Sequence, residues 1–131
     1  TVTNNSQYYN ITNAGHNLFS TANVDNITMQ GDTIIVDASY VGYYNINAYV
    51  TLVGSGSATY RLRWCKNAST QFGGFTGECS TIGDGSYETI PVCAYGQLVT
   101  SDRLKLQIER EGGSGNPVIK NVYIFIEKKP E

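Results

Sequence analysis

The chain has 131 residues, of which only 15% are charged, and a formal net charge of −2. About a quarter of residues are charged in an average globular domain; here Asn, Ser, Thr, Gly and ten Tyr fill the deficit. No basic run exists to neutralise phosphates, and no apolar run nears the roughly 20 residues of a membrane helix, so neither nucleic-acid binding nor membrane insertion is expected.

The chain opens on "TVTNNSQYY" without Met, which points to excision from a longer chain. Residues 1–6 read as the end of a preceding stalk, and residues 1–131 as one head domain. No segment carries the capped i, i+3, i+4 pattern of a helix. Short alternating segments separated by Gly, Asn, Asp and Ser recur instead. They predict strands at Gln7–Thr12, Asn26–Gln30, Thr33–Asp37, Gly42–Val53, Ala58–Lys66, Tyr87–Leu98, Arg103–Arg110 and Val118–Lys128. Gly31–Asp32 reads as a tight turn, "GSGS" (Gly54–Ser57) as a hairpin loop and "EGGSGNP" (Glu111–Pro117) as a flexible loop. The longest stretch without a strand pattern runs from Asn67 to Ser86, with part of it, Thr76–Ile82, able to form a further short strand. About eight to ten antiparallel strands in a domain of this size predict an all-β sandwich, jelly roll or closed barrel.

The faces of these strands differ. In Gly42–Val53, the residues Tyr44, Ile46, Ala48, Val50 and Leu52 share a core face. Tyr60, Leu62 and Trp64 oppose Arg61, Arg63 and Cys65; Leu104, Leu106 and Ile108 oppose Arg103, Lys105, Gln107 and Glu109. The last strand is apolar on both faces: Val118, Val122, Ile124 and Ile126 on one, Ile119, Tyr123 and Phe125 on the other. Tyr49 and Val53 make the second face of the central strand partly apolar as well. If the two strands are neighbours, these side chains form one patch that calls for a partner.

The chemistry-bearing residues are sparse. His16 is the single histidine, and neither "GSGS" nor "GGSGNP" sits in the strand–turn–helix setting that a nucleophile elbow or phosphate loop needs, so no catalytic residue is expected. Of the three cysteines, Cys65 and Cys79 either bridge the base of their loop or, with Cys93, serve as small apolar fillers; no metal site is expected from them. Asp32, Asp37, Asp84 and Asp102 lie in turns, where calcium is conceivable, but no dense acidic loop supports it, and no cofactor is expected. Sequons occur at Asn4, Asn10, Asn26 and Asn67.

A family resemblance emerges from the series of strands. "GDTIIVDASYVGYYNINAYVTL" resembles the entry into the long central strand of complement q-subcomponent globular heads and tumour-necrosis-factor-like domains. "SATYRLRWCKN", "LVTSDRLKLQIER" and "VYIFIEKK" are similar to three later strands of that family, in the same order, over about Asn17–Lys128. The resemblance implies a TNF-like jelly roll of two antiparallel sheets that forms a homotrimer through its inner sheet. That sheet would hold the first, central, Asp-Arg-Leu and last strands, with Tyr49, Val53, Ile119, Tyr123 and Phe125 at the contact. The closing strand lacks the family's Phe-x-Gly, and Ala68 replaces the turn glycine after "WCKN". These departures place the chain nearer to viral and phage spike heads of this fold. The function expected is therefore a non-catalytic, receptor-binding attachment head of a spike or fibre, on the virion surface and facing a host protein or glycan. The alternative is a secreted complement- or cytokine-like recognition head, extracellular. Candidate receptor residues are Phe72, Gly73, Gly74 and Phe75 on the long loop, and Arg61 and Arg63, whose guanidinium groups suit an anionic sugar or phosphate.

Overall fold

A computed structural model describes residues 5, 7–11, 19–22, 27–30, 33–36, 41–54, 56–67, 70–82 and 85–129. Their elements are ten strands: β1 (Tyr8–Asn10), β2 (Phe19–Ala22), β3 (Ile27–Gln30), β4 (Thr33–Val36), β5 (Gly42–Gly54), β6 (Ser57–Lys66), β7 (Thr70–Ile82), β8 (Glu88–Leu98), β9 (Arg103–Gly113) and β10 (Pro117–Lys128). One sheet runs β3-β4-β9-β6-β7, with β1 also on β9; the other runs β2-β10-β5-β8. β1 and β4 lie end to end along one edge of β9, opposite Gln107–Glu109 and Arg103–Lys105 respectively. Apart from β2, which runs parallel to β10, the paired strands are antiparallel. The two-sheet jelly roll, one of the architectures the alternation allowed and the one the resemblance implied, is therefore the observed fold.

The core lies between the sheets. Tyr44, Ile46, Ala48, Val50 and Leu52 of β5 meet Tyr60, Leu62 and Trp64 of β6 and Leu104 and Leu106 of β9, all of them buried. Alternation alone puts these residues inside, because successive side chains on a strand point to opposite faces. Each fully buried Leu or Ile contributes about 1.5–3 kcal/mol. Polar tips inside the core find partners. The indole N–H of Trp64 donates to the Val92 carbonyl at 3.2 Å, and the Tyr60 hydroxyl donates to the Gly115 carbonyl at 3.2 Å.

Several expectations need correction. The region expected as a long loop holds the 13-residue strand β7. Its glycines hide it from a propensity reading, yet close packing requires them. A Cβ on Gly77 would lie 2.5 Å from the Pro91 carbonyl oxygen of β8, and one on Gly73, whose φ is +81°, would lie 2.7 Å from the Ala94 Cβ. β9 and β10 take up most of "EGGSGNP", leaving residues 114–116 between them. β2 was not foreseen, and β9, the Asp-Arg-Leu strand, lies in the six-stranded sheet rather than beside β5 and β10. β1, the first strand, pairs with β9 in that same sheet. Finally, a bulge between Ile119 and Asn121 inserts Lys120 and reverses the faces of β10 at its start. Ile119 therefore packs against the core, while Val118 is 59% exposed.

None of the three cysteines is in a disulfide, and Cys65 and Cys79 do not bridge. Cys79 stands opposite Tyr60 and Cys65 opposite Gln71. Positions 60 and 65 of β6 are roughly 16 Å apart at about 3.3 Å per residue. A disulfide needs Cα atoms within about 7 Å.

Gly77→Ala is expected to destabilise the fold by about 1–3 kcal/mol, the usual cost of overpacking. Gly112→Ala, where an added Cβ meets nothing within 4 Å, should change it little. Denaturant unfolding of both variants checks the difference.

Candidate functional site

The two sheets present outer faces of opposite character. On the six-stranded sheet, the charges of Arg61 and Arg63 are locked into local contacts. Arg61 of β6 reaches Glu78 at 3.3 Å, Glu109 at 3.6 Å and Glu111 at 2.9 Å. The hydrogen bond to Glu78 and the charge of Glu111 push its already high pKa further up. Arg63 donates to Gln107 Oε1 at 2.9 Å and lies over the Tyr8 ring at 3.7 Å, while Gln107 Nε2 donates to Asn10 Oδ1 at 3.0 Å. Burial, with Glu109 nearby, raises the Tyr8 hydroxyl pKa above its ordinary value. These contacts fasten the short strand β1 across β9. Arg61 and Arg63 thus hold the sheet together, and an anion approaching Arg61 would first meet three carboxylates.

The phenylalanine candidates are also placed differently from expectation. Phe72 is buried in β7 against Gly96 of β8, with the Lys66 ammonium 5.8 Å from its ring centre. Gly73, Gly74 and Phe75 form the bulge where β7 slips against Arg63 and Trp64 of β6. The side chain of Phe75 and the surroundings of Gly74 lie outside the described residues.

The outer face of the four-stranded sheet is aromatic and nearly free of charge. Tyr49 and Tyr123 stand directly opposite each other on β5 and β10, 44% and 43% exposed, and Pro91 of β8 continues the row. Tyr43 and Tyr95 stack at 5.9 Å with an interplanar angle of 23°. Phe125 and Val53 are half-buried on the same face, Val53 opposite Val118. Thr51 and Thr89 share a hydrogen bond of 3.0 Å, and Cys93 is exposed opposite Asn47. The structure thus brings Tyr49, Val53, Tyr123 and Phe125 together and leaves Ile119 out. Tyr43, Tyr95, Pro91, Cys93 and Val118 were missed. The alternation Pro91, Cys93, Tyr95 against Ile90, Val92, Ala94 carried the signal for three of them.

A third feature is a clasp between two turns. The buried Asp102 carboxylate accepts from the Val99 N–H at 2.8 Å and from Asn67 Nδ2 at 2.9 Å. Asn67 Oδ1 accepts from the Arg103 N–H at 3.0 Å, and the Asn67 N–H donates to the Arg103 carbonyl at 2.8 Å. Both Asp102 oxygens therefore have protein donors, which suits a turn clamp and not a calcium ligand. Asp32, Asp37 and Asp84 lie outside the described residues, and no cluster of three His, Cys, Asp or Glu that could hold a metal occurs among the described ones.

Comparison with known proteins bears on the fold. No protein-family model matches the chain, and no curated protein sequence matches it. Among solved structures, murine APRIL is similar with a TM-score of 0.59 and 15% identity, over 79% of this chain and 78% of that one. Eiger TNF from S. frugiperda is similar with a TM-score of 0.57 and 14% identity, over 80% of this chain and 69% of that one.

Asp102→Ala removes the acceptor of two part-buried donors and is expected to cost about 1–3 kcal/mol, the usual range for losing a hydrogen bond to a charged group. Thermal melting checks this, and faster amide exchange at Val99 and Arg103 would place the damage at the clasp. The strand order and these likenesses give the chain the fold of the tumour-necrosis-factor-like jelly rolls.

Proposed function

We propose that the chain is a non-catalytic, receptor-binding recognition head that works as a homotrimer. The observation that carries this reading is the outer face of the four-stranded sheet. Tyr43, Tyr49, Tyr95, Tyr123 and Val118 are exposed there side by side, with Phe125 and Val53 half-buried among them. Burying such a face against two copies removes apolar area from water at about 25 cal/mol per Å². The hydroxyls and amides at its rim, on Tyr, Asn45, Asn47 and Thr51, allow the contact to satisfy its polar groups. The resemblance to the TNF-like family implies threefold packing through the sheet that holds the central and last strands, which are β5 and β10 here. Three copies then present three receptor sites at once, so each can be weak.

Two settings fit such a head. The attachment head of a viral or phage spike or fibre is favoured by the Tyr-, Asn-, Ser-, Thr- and Gly-rich surface, which suits adaptable recognition. Three cysteines outside any disulfide, one of them exposed, also suit assembly in a reducing cytosol. The likeness to murine APRIL and to Eiger TNF favours a secreted cytokine-like head instead. Glycans found at Asn26 or Asn67 of the native protein by mass spectrometry would decide for a secretory route and against a bacteriophage.

Light scattering on a sizing column is expected to give three times the chain mass for the wild type and the monomer mass for Tyr123→Asp. A monomeric wild type would sink the proposal. Thiol labelling gives a second readout. Burial, with Glu88 and Glu78 nearby, pushes the Cys79 thiol up to about 11, so little thiolate forms there at pH 8, and Cys65 is buried. Cys93 should therefore label rapidly in the Tyr123→Asp monomer and slowly in the trimer, with Cys65 and Cys79 slow in both. Equal Cys93 rates in the two proteins would mean that the face is open.

A further inference from the structure

A cavity of about 410 Å³ opens on the six-stranded sheet, away from the aromatic face, lined among the described residues by Asn10, Asn67, Ser101, Arg103 and Lys105. Its size lies within the usual range of small-molecule sites, about 300–1,000 Å³. Its walls come from four separate pieces of the chain: β1, the residue after β6, the turn before β9, and β9 itself.

Those walls are fixed before any ligand arrives. Asn67 is held by the clasp to Asp102 and Arg103. Asn10 is held by Gln107 Nε2, and the Ile11 N–H donates to the Leu106 carbonyl at 2.9 Å. Asp102 N–H closes the Val99–Asp102 turn onto the Val99 carbonyl at 3.1 Å. Ser101 occupies the third position of that turn with φ of +70°, where glycine is the usual residue. Together with Asn67 at +52°, these are the positive-φ non-glycine residues of the described chain, and both lie on this rim. Asn tolerates the left-handed region; Ser does so at a cost, and what the site gains in return is a hydroxyl.

The charge at the cavity is also distinctive. Of the four arginines in the chain, Arg61 is held by Glu78, Glu109 and Glu111, Arg63 by Gln107 and Tyr8, and Arg110 by Asn5 and the Gly115 carbonyl. The guanidinium of Arg103 makes no hydrogen bond, ion pair or ring contact with a described residue, though the chain as a whole is acidic. The Asp102 carboxylate next to it is buried, and each of its oxygens already accepts one N–H. A guanidinium with no partner among the described residues, at the mouth of a cavity, matches a carboxylate by two parallel hydrogen bonds. The Asn10 Nδ2, the second hydrogen of Asn67 Nδ2 and the Ser101 hydroxyl can still donate to ring hydroxyls, the oxygens of both amides being engaged already. No aromatic ring is among the described lining residues.

We infer that this cavity binds an acidic monosaccharide, its carboxylate on Arg103 and its ring hydroxyls on Asn10, Asn67 and Ser101. The site stands on the sheet that the proposed trimer contact leaves free, so its test is independent of oligomeric state.

The test is a chemical-shift titration of the full-length, isotope-labelled protein with sodium glucuronate, glucose and inorganic phosphate in turn. Glucuronate is expected to shift the amides of Asn67, Ser101 and Arg103 saturably. Glucose, lacking the charge, and phosphate, lacking the ring, should each bind about tenfold more weakly, in keeping with the strength of charge-assisted hydrogen bonds. Arg103→Gln, at an exposed side chain, should fold normally and lose glucuronate about tenfold. Ser101→Gly should melt higher, because the left-handed turn is relieved, yet bind glucuronate several-fold more weakly. The inference is overturned if glucuronate gives no saturable shift at these residues, if glucose or phosphate binds as well, or if either variant binds glucuronate as the wild type does.

Discussion

The sandwich depends on how its two sheets close along β7 and β8. β8 is the edge of the four-stranded sheet, and an open edge invites pairing with another chain. Here the edge is covered from within the fold. The Val92 carbonyl receives the Trp64 indole N–H across the core. Pro91 offers no N–H at all, as suits an edge position. β7 then approaches so closely that residues 73 and 77 have no room for a Cβ. Phe72 completes the seal by filling the space above Gly96. With this edge closed, the surface left to explain is the face of the four-stranded sheet.

The same closure explains what the sequence could and could not convey. The alternating strands β5, β6 and β9 were legible because each has one apolar and one polar face, and a period of two is a strong signal. β7 was not, because its role is to come close, and the residue that permits closeness has no side chain to pattern. Phe72 and Phe75 in a glycine-rich stretch therefore looked like loop aromatics, although Phe72 is core. The clasp was illegible for another reason. Asn67 and Asp102 are 35 positions apart, and their contact exists only once β6 and β9 are neighbours. Arg61 and Arg63 were legible as an outward pair, but their partners on β1, β7 and β9 were not, so their charge looked available when it was already committed.

A single inserted residue redefines the aromatic face. Without the bulge at Lys120, Val118 would fall in step with Val122 and point inward, and Ile119 would extend the row of Tyr123 and Phe125. With it, Ile119 turns into the core opposite Leu52, and Val118 joins Val53 on the outside. The apolar character of the face is thus conserved across the bulge by exchanging which residue supplies it. That exchange argues against an accidental patch: on both sides of the bulge β10 keeps apolar side chains outward, Val118 before it and Tyr123 and Phe125 after it, despite the change of register. The opposite sheet shows the contrast: its outward Arg61 is held by Glu78, Glu109 and Glu111, and Arg63 by Gln107 and Tyr8. A chain that ties up Arg61 and Arg63 on one outer face and lays tyrosines and valines open on the other supports the proposal that the second face meets a partner.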